Sequence, residues 1–105
     1  MNQNIKVKLS DYADKQFFYV KYQEYLYFGY EEYHYIRGGV ETVFTTLKRC
    51  GIGTGITVRK VEDEEVTLYP PYCREITKEE YITALEEHFE TIKKDTIEYN
   101  AELYL

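Results

Sequence analysis

Tryptophan is absent from this chain, and serine occurs once, at Ser10. Serine-based nucleophilic chemistry therefore has one candidate, at a predicted strand end, with nothing local to orient a base toward it. Two cysteines, Cys50 and Cys73, cannot build a disulfide framework; such usage reads as a reducing, cytoplasmic setting with both thiols free. Uncharged apolar runs fall far short of the about 18 residues that a membrane span requires, so no membrane partner is expected. The stretch from Met1 to Lys15 also lacks the apolar core of a secretory signal. Basic residues are in deficit, 13 Lys and Arg against 19 Asp and Glu, for a net charge of −6. That balance ranks nucleic acid below protein as a partner, because nucleic-acid-binding domains are usually basic.

Hydrophobic residues make up 44% and charged residues 30% of the 105, which excludes a disordered or collagen-like chain. The length predicts a single domain over residues 1–105, able to bury about two-thirds of its surface without staples. Tyrosine is the conspicuous excess. Of 13 tyrosines, eight (12, 19, 22, 25, 27, 30, 33 and 35) fall within one 24-residue window. A core this small does not easily bury 13 tyrosines with every hydroxyl satisfied. Charge is uneven too: residues 1–60 hold nine Lys/Arg against six Asp/Glu, and residues 61–105 hold four against thirteen. The first part is mildly basic and aromatic, the second strongly acidic, and such asymmetry bears on partners rather than fold.

Ile5-Lys6-Val7-Lys8-Leu9 alternates with the period of a half-buried strand. Residues 16–36 carry aromatics on both faces and are expected as two strands turning near Gln23-Glu24. The rival is a helix capped by Ser10 or Asp11 that buries Phe17, Phe18, Tyr22, Tyr25 and Leu26. Beyond Gly38-Gly39, the apolar residues Val40, Val43, Phe44 and Leu47 recur at helical spacing, which predicts a helix over about 40–50 closed by Gly51. Ile56–Val61 and Val66–Tyr69 then read as a hairpin around Glu62-Asp63-Glu64-Glu65, ended by Pro70-Pro71. Thr77-Lys78-Glu79-Glu80 fits a capping box flanked by an Ile76/Tyr81 staple. It opens a helix over about 78–94 or longer, with Tyr81, Ile82, Leu85, Phe89 and Ile92 as its buried stripe. The expected architecture is α+β: a small, mostly antiparallel sheet with two helices packed on one face.

Motif by motif, catalytic and metal chemistry find little support. Gly51-Ile52-Gly53-Thr54-Gly55 has glycines after a predicted helix and before a strand, the reverse of a phosphate loop. Arg37, Gly38 and Gly39 precede the predicted helix at 40–50 and form a candidate anion site, with plain chain turning as the simpler reading. Glu31 and His34 make half of a carboxylate-bridged di-metal motif, but no second copy exists. The spacings of His34, His88, Cys50 and Cys73 lack the short pairs of a zinc site. No metal, no cofactor and no catalytic residue are expected, and an enzyme is not the leading reading.

Tyrosine and acid suggest binding instead. The leading expectation is a small acidic protein-binding module, an inhibitor or adapter acting by surface occlusion on a partner with a basic surface. A narrower version is a phage- or mobile-element-type inhibitor of a nucleic-acid-handling protein, or an immunity protein. Tyr25 and Tyr27 are the expected desolvated contacts, and Glu62, Asp63, Glu64 and Glu65 the expected acidic ones. A homodimer is compatible with the same features. The first alternative is single-stranded nucleic-acid binding by residues 15–35, with Tyr19, Tyr22, Tyr25 and Tyr27 stacking bases beside Lys15 and Lys21. The second is a small-molecule site or enzyme with a Tyr-lined pocket.

Overall fold

The computed structural model describes residues 4–48, 52–53 and 55–103, with side chains described for 4–47 and 55–90. Its strands are β1 (Ile5–Lys8), β2 (Phe17–Glu24), β3 (Gly29–Arg37), β4 (Val40–Lys48), β5 (Ile52–Gly53), β6 (Thr57–Lys60), β7 (Glu65–Leu68) and β8 (Cys73–Glu75). A 3-10 helix over Leu9–Tyr12 follows β1, and among the described residues one α-helix, α1 (Lys78–Leu103), follows β8. The main sheet is antiparallel with order β5-β4-β3-β2-β8, and β6 shares the outer edge of β4 with β5. A separate ribbon pairs β1 with β7. Among the described residues no helix is long and apolar enough to cross a membrane.

Alternation along β2 sorts the core into two layers, because successive side chains leave opposite faces of a strand. Phe17 and Tyr19 point to one face, where they pack with Leu9, Ile36, Val61, Val66, Leu68 and Cys73 beneath the β1–β7 ribbon. Phe18 and Val20 point to the other, where they meet Phe44, Ile76 and Tyr81 beneath α1. The sheet is thus covered on both sides, by a ribbon and by a helix. Burial of large side chains at about 1.5–3 kcal/mol each is the main force holding both layers. Ring pairs add to it, such as Phe18 stacked on Tyr35 at 4.7 Å.

The aromatic window is two strands, β2 and β3 in register from Phe17↔Ile36 to Glu24↔Gly29. The turn comes just after Gln23-Glu24, at residues 25–28. The capping box also forms: the Glu80 amide donates to Thr77 Oγ1 at 3.1 Å, and the Thr77 amide to Glu80 Oε1 at 3.3 Å. Ile76 and Tyr81 are both buried beside it.

The two-helix architecture is overturned. Residues 40–48 are β4, paired with β3 from Arg37↔Val40 to Gly29↔Lys48. Gly38 and Gly39 have φ of +60° and +73°, the left-handed pair that a two-residue hairpin turn demands. The turn twists with the strands, so the chain folds straight back onto β3 instead of starting a helix. The stop expected at Gly51, like Cys50, lies outside the described residues.

Residues 56–69 do not form a hairpin either. β6 pairs with β4 in the main sheet and β7 with β1 in the ribbon, so the acidic turn between them is a crossing from one sheet to another. On α1 the core-facing stripe is buried Tyr81 and His88 with partly buried Ala84 and Leu85; Ile82 is exposed, Phe89 is 50% exposed, and the Ile92 side chain lies outside the described ones. The residue at i+7 from Tyr81 is His88, and placing Phe89 in the core rotates that position by about 100°.

Candidate functional site

The end of the main sheet where β2 turns into β3 collects aromatic side chains from two segments distant in sequence. In the first, the Tyr25 amide donates to the Phe28 carbonyl at 2.7 Å and the two rings stack at 4.8 Å. That closure turns the intervening pair outward, leaving Leu26 81% and Tyr27 83% exposed. In the second, Tyr69-Pro70-Pro71-Tyr72 folds back on itself. The amides of Tyr72 and Cys73 both donate to the Tyr69 carbonyl, at 3.1 and 3.3 Å. The Tyr22 amide donates to the Tyr72 carbonyl at 2.8 Å, which ties this turn to β2.

Between the second turn and the end of β2 lies a groove of about 650 Å³ lined by Tyr22, Gln23, Glu24, Tyr69, Pro71 and Tyr72. Tyr30 belongs to the same end. Burial pushes its phenol pKa up, and Glu32, Tyr25 and Tyr69 push it further. Of the tyrosines whose side chains are described, those exposed are Tyr25, Tyr27, Tyr69 and Tyr72, all at this end. Tyr19 and Tyr81 are buried, and the Tyr81 phenol is pushed up to about 12 by burial and then by Tyr35.

A second polar assembly sits beneath the ribbon. His34 is 4% exposed and stacks on Tyr19 at 4.2 Å and 9°. Its Nε2 is 2.5 Å from Glu32 Oε1, and its Nδ1 is 3.1 Å from Glu41 Oε2 but off the hydrogen-bonding direction. Glu41, itself 2% exposed, accepts from the Tyr19 hydroxyl at 3.1 Å and from Arg59 Nε at 3.0 Å. Arg59 also grips Glu64 through both terminal nitrogens, at 3.0 and 2.9 Å. Burial opposes charge on His34 more than any other single influence. The two carboxylates together outweigh it and hold the imidazole above its ordinary value. Glu41 follows the same logic with opposite sign: burial raises it, but His34 and Arg59 hold it low. Glu32 is held low chiefly by its hydrogen bond to His34. The result is a closed charge network, with both ring nitrogens of His34 turned to protein carboxylates.

The residues expected from sequence do not converge on one surface. Tyr25 and Tyr27 lie at the aromatic end. Glu62, Asp63, Glu64 and Glu65 lie at the other end of the sheet, where the Leu9 amide donates to the Glu64 carbonyl and Val61 to that of Gly39. The eight residues of β2 separate the two ends by about 26 Å. Within the acidic set, Glu64 is committed to Arg59, while Glu62, Asp63 and Glu65 are exposed.

Arg37, Gly38 and Gly39 form the β3–β4 turn beside this acidic end, with the Gly38 amide donating to the Tyr12 carbonyl at 3.2 Å. No helix N-terminus stands behind them, so the basis for an anion site there is gone. Glu31 and His34 leave opposite faces of β3, and Glu31 accepts instead from the Tyr33 hydroxyl. Among the described residues no group of three or more His, Cys, Asp and Glu is arranged to hold a metal. His88 is buried against Phe44 at 4.7 Å, with Nδ1 3.1 Å from Thr46 Oγ1.

Two groups of residues escaped sequence reasoning. Tyr69 and Tyr72 flank Pro70-Pro71 in a Tyr-Pro-Pro-Tyr run whose aromatic bracketing was the available signal. Glu41 and Arg59 become neighbours only through the β4–β6 register, for which the sequence carries no mark. Compared with known proteins, the chain matches no family model, no curated protein and no solved structure.

Proposed function

We propose that this chain is a protein-binding module, an inhibitor or adapter that works by occupying a partner's surface, and that the aromatic end of its sheet makes the contact. One observation carries the reading: the exposed tyrosines Tyr25, Tyr27, Tyr69 and Tyr72 lie with Leu26 at one end of the sheet, and Tyr69 and Tyr72 line a groove there. Exposed apolar residues scattered singly need no explanation, whereas a gathered set marks an interaction site. Tyrosine suits that role because it offers large contact area, few rotamers and a polar tip.

The remaining charge supports steering rather than contact. Glu62, Asp63 and Glu65 at the far end, with Glu79, Glu86, Glu87 and Glu90 on the exposed side of α1, give a negative field that favours a partner with a basic surface. Binding is preferred to catalysis because His34 is enclosed by Glu32, Glu41 and Tyr19, out of reach of a substrate. Base stacking loses its platform as well: Tyr19 is in the core, and Lys21 leaves the opposite face of β2 from Tyr22.

The test is affinity capture from native host lysate with three baits: the wild-type chain, a Leu26→Asp/Tyr27→Ala variant, and an Asp63→Lys variant. A protein retained by the wild type and by Asp63→Lys, but lost with the tip variant, is the expected result. Recovery of no tip-dependent protein, or of nucleic acid in its place, overturns the proposal.

A further inference from the structure

We infer that α1 pairs with α1 of a second copy of this chain, forming an antiparallel two-helix coiled coil. The contact is separate from the aromatic surface proposed above, and neither depends on the other.

The helix is longer than the sheet beneath it can cover. Tyr81 sits over Phe18, Tyr35 and Phe44. Two turns on, His88 packs on Phe44 and faces Thr46 of β4. Thr46 pairs with Gly53 of β5, the outermost strand, and lies close to the end of β4 at Lys48. By His88, α1 has therefore come to a corner of the sheet, yet it continues to Leu103. At 1.5 Å per residue the remainder is about 22 Å long, against a strand spacing of about 4.8 Å. Most of that length runs past the sheet.

An apolar stripe follows the helix throughout. From Ile82 the sequence sets Leu85, Phe89 and Ile92, then Thr96, Tyr99 and Leu103, in steps of three and four. This is the a/d pattern of a coiled coil, held for about three heptads with Thr96 as its polar member. Where side chains are described, Ile82 is 40% and Phe89 50% exposed, and Leu85 is only partly buried. These residues lie to one side of the Tyr81–His88 stripe that faces the sheet, since Phe89 stands about 100° round the helix from His88. A stretch of helix without packing is marginal in water, so the part beyond the sheet needs an apolar neighbour. A 3.5-residue period matches another helix, whose knobs recur at the same interval. A second copy carries the same stripe, and one surface then supplies both sides of a twofold contact.

Charge selects the direction. In an antiparallel pair the a and d layers match Phe89 with Ile92 of the second copy, Leu85 with its Thr96, and Ile82 with its Tyr99. That register sets Glu86 beside Lys93 of the second copy, once on each side of the twofold axis, and Glu86 is exposed in the single chain. A parallel pair would match Tyr81 with Glu86, His88 with Lys93 and Asp95 with Asn100, and none of these joins opposite charges. The antiparallel pair also lays the length beyond each sheet over the exposed Ile82 and Phe89 of the other copy.

The experiment is sedimentation velocity of the full chain over about a hundredfold range of concentration. A species of twice 12.6 kDa is expected, giving way to monomer on dilution. Phe89→Glu places charge in the seam and should weaken dimerisation about tenfold or more, the scale of an interface aromatic. In dilute, monomeric protein Phe89 is half exposed, so this variant keeps its fold; circular dichroism checks it. Glu86→Lys should weaken the dimer several-fold, and Glu86→Lys combined with Lys93→Glu should restore it. The tip variant Leu26→Asp/Tyr27→Ala should dimerise as the wild type does. A monomer at every concentration, a dimer indifferent to Phe89→Glu, a charge reversal that the double variant does not rescue, or a dimer lost in the tip variant overturns the inference. If the chain proves monomeric while the tip variant still loses its captured protein, this inference falls and the binding reading stands.

Discussion

Replacing Glu41 by glutamine tests whether the buried charge network stabilises the fold. The carboxylate has three partners: the Tyr19 hydroxyl, Arg59 Nε, and the charged His34 ring at 3.1 Å. Removing one member of a buried ion pair costs about 3–5 kcal/mol, because the charge left behind is uncompensated. The low end applies here. His34 keeps Glu32, and Arg59, which is half exposed, keeps Glu64. Glu41→Gln should therefore lose about 3 kcal/mol at pH 6.

The loss should depend on pH. His34 has a native pKa above its unfolded value of 6.5, so its contribution is complete below pH 6.5 and disappears as pH rises through the native pKa. Above that point the wild type no longer holds an imidazolium, and the difference should shrink toward about 1 kcal/mol, a single net hydrogen bond. Glu32 and Glu41 act in the other direction, since their pKa values are depressed. Their contribution is present above the ordinary carboxylate range and disappears as pH falls through the native values. Wild-type stability should therefore peak between the two limits.

Urea melts of wild type and variant at several pH values from 5 to 9 measure this, with Glu62→Gln on the exposed turn as the control. A difference below about 1 kcal/mol at every pH, or one that does not change with pH, refutes the network as a source of stability.

Other expectations concern single elements. Phe44, 1% exposed beneath α1, should cost about 3–5 kcal/mol on truncation to alanine, whereas Phe89→Ala should stay below about 1 kcal/mol; denaturant melts separate them. Thr77→Ala removes the hydroxyl that accepts from the Glu80 amide and should cost about 1 kcal/mol by the same measurement. Gly38→Ala meets only ordinary contact, 3.6 Å from the Ala13 carbonyl oxygen, so its cost is the backbone penalty at φ +60°. Thermal melts should show a loss of about 1–2 kcal/mol.

Local chemistry determined what the sequence alone could specify. The start of α1 needs only Ile76, Thr77, Glu80 and Tyr81, all within one short stretch of chain, and it forms where that signature stands. The β2–β3 hairpin is similarly local: aromatic, β-favouring residues run up to a short turn and back. Tertiary structure decided β4. Its apolar residues fall at helical spacing because the strand is covered on both faces, with Glu41 and Phe44 buried under different layers. Two-sided burial removes the alternation by which a strand is recognised. Gly38-Gly39 did carry the hairpin signal, a two-residue linker of left-handed glycines, but the periodicity pointed elsewhere.

The sites divide the same way. Exposure of Leu26 and Tyr27 follows from the local turn at 25–28. Their gathering with Tyr69, Pro71 and Tyr72 required β8 to pair with β2, and the burial of His34 among Glu32, Glu41 and Arg59 required the registers of β3, β4 and β6. Those pairings join residues as far apart in the chain as Tyr19 and Glu75. They are chosen by how two apolar faces of one sheet can both be covered at once, a condition on the folded whole that no stretch of residues states by itself.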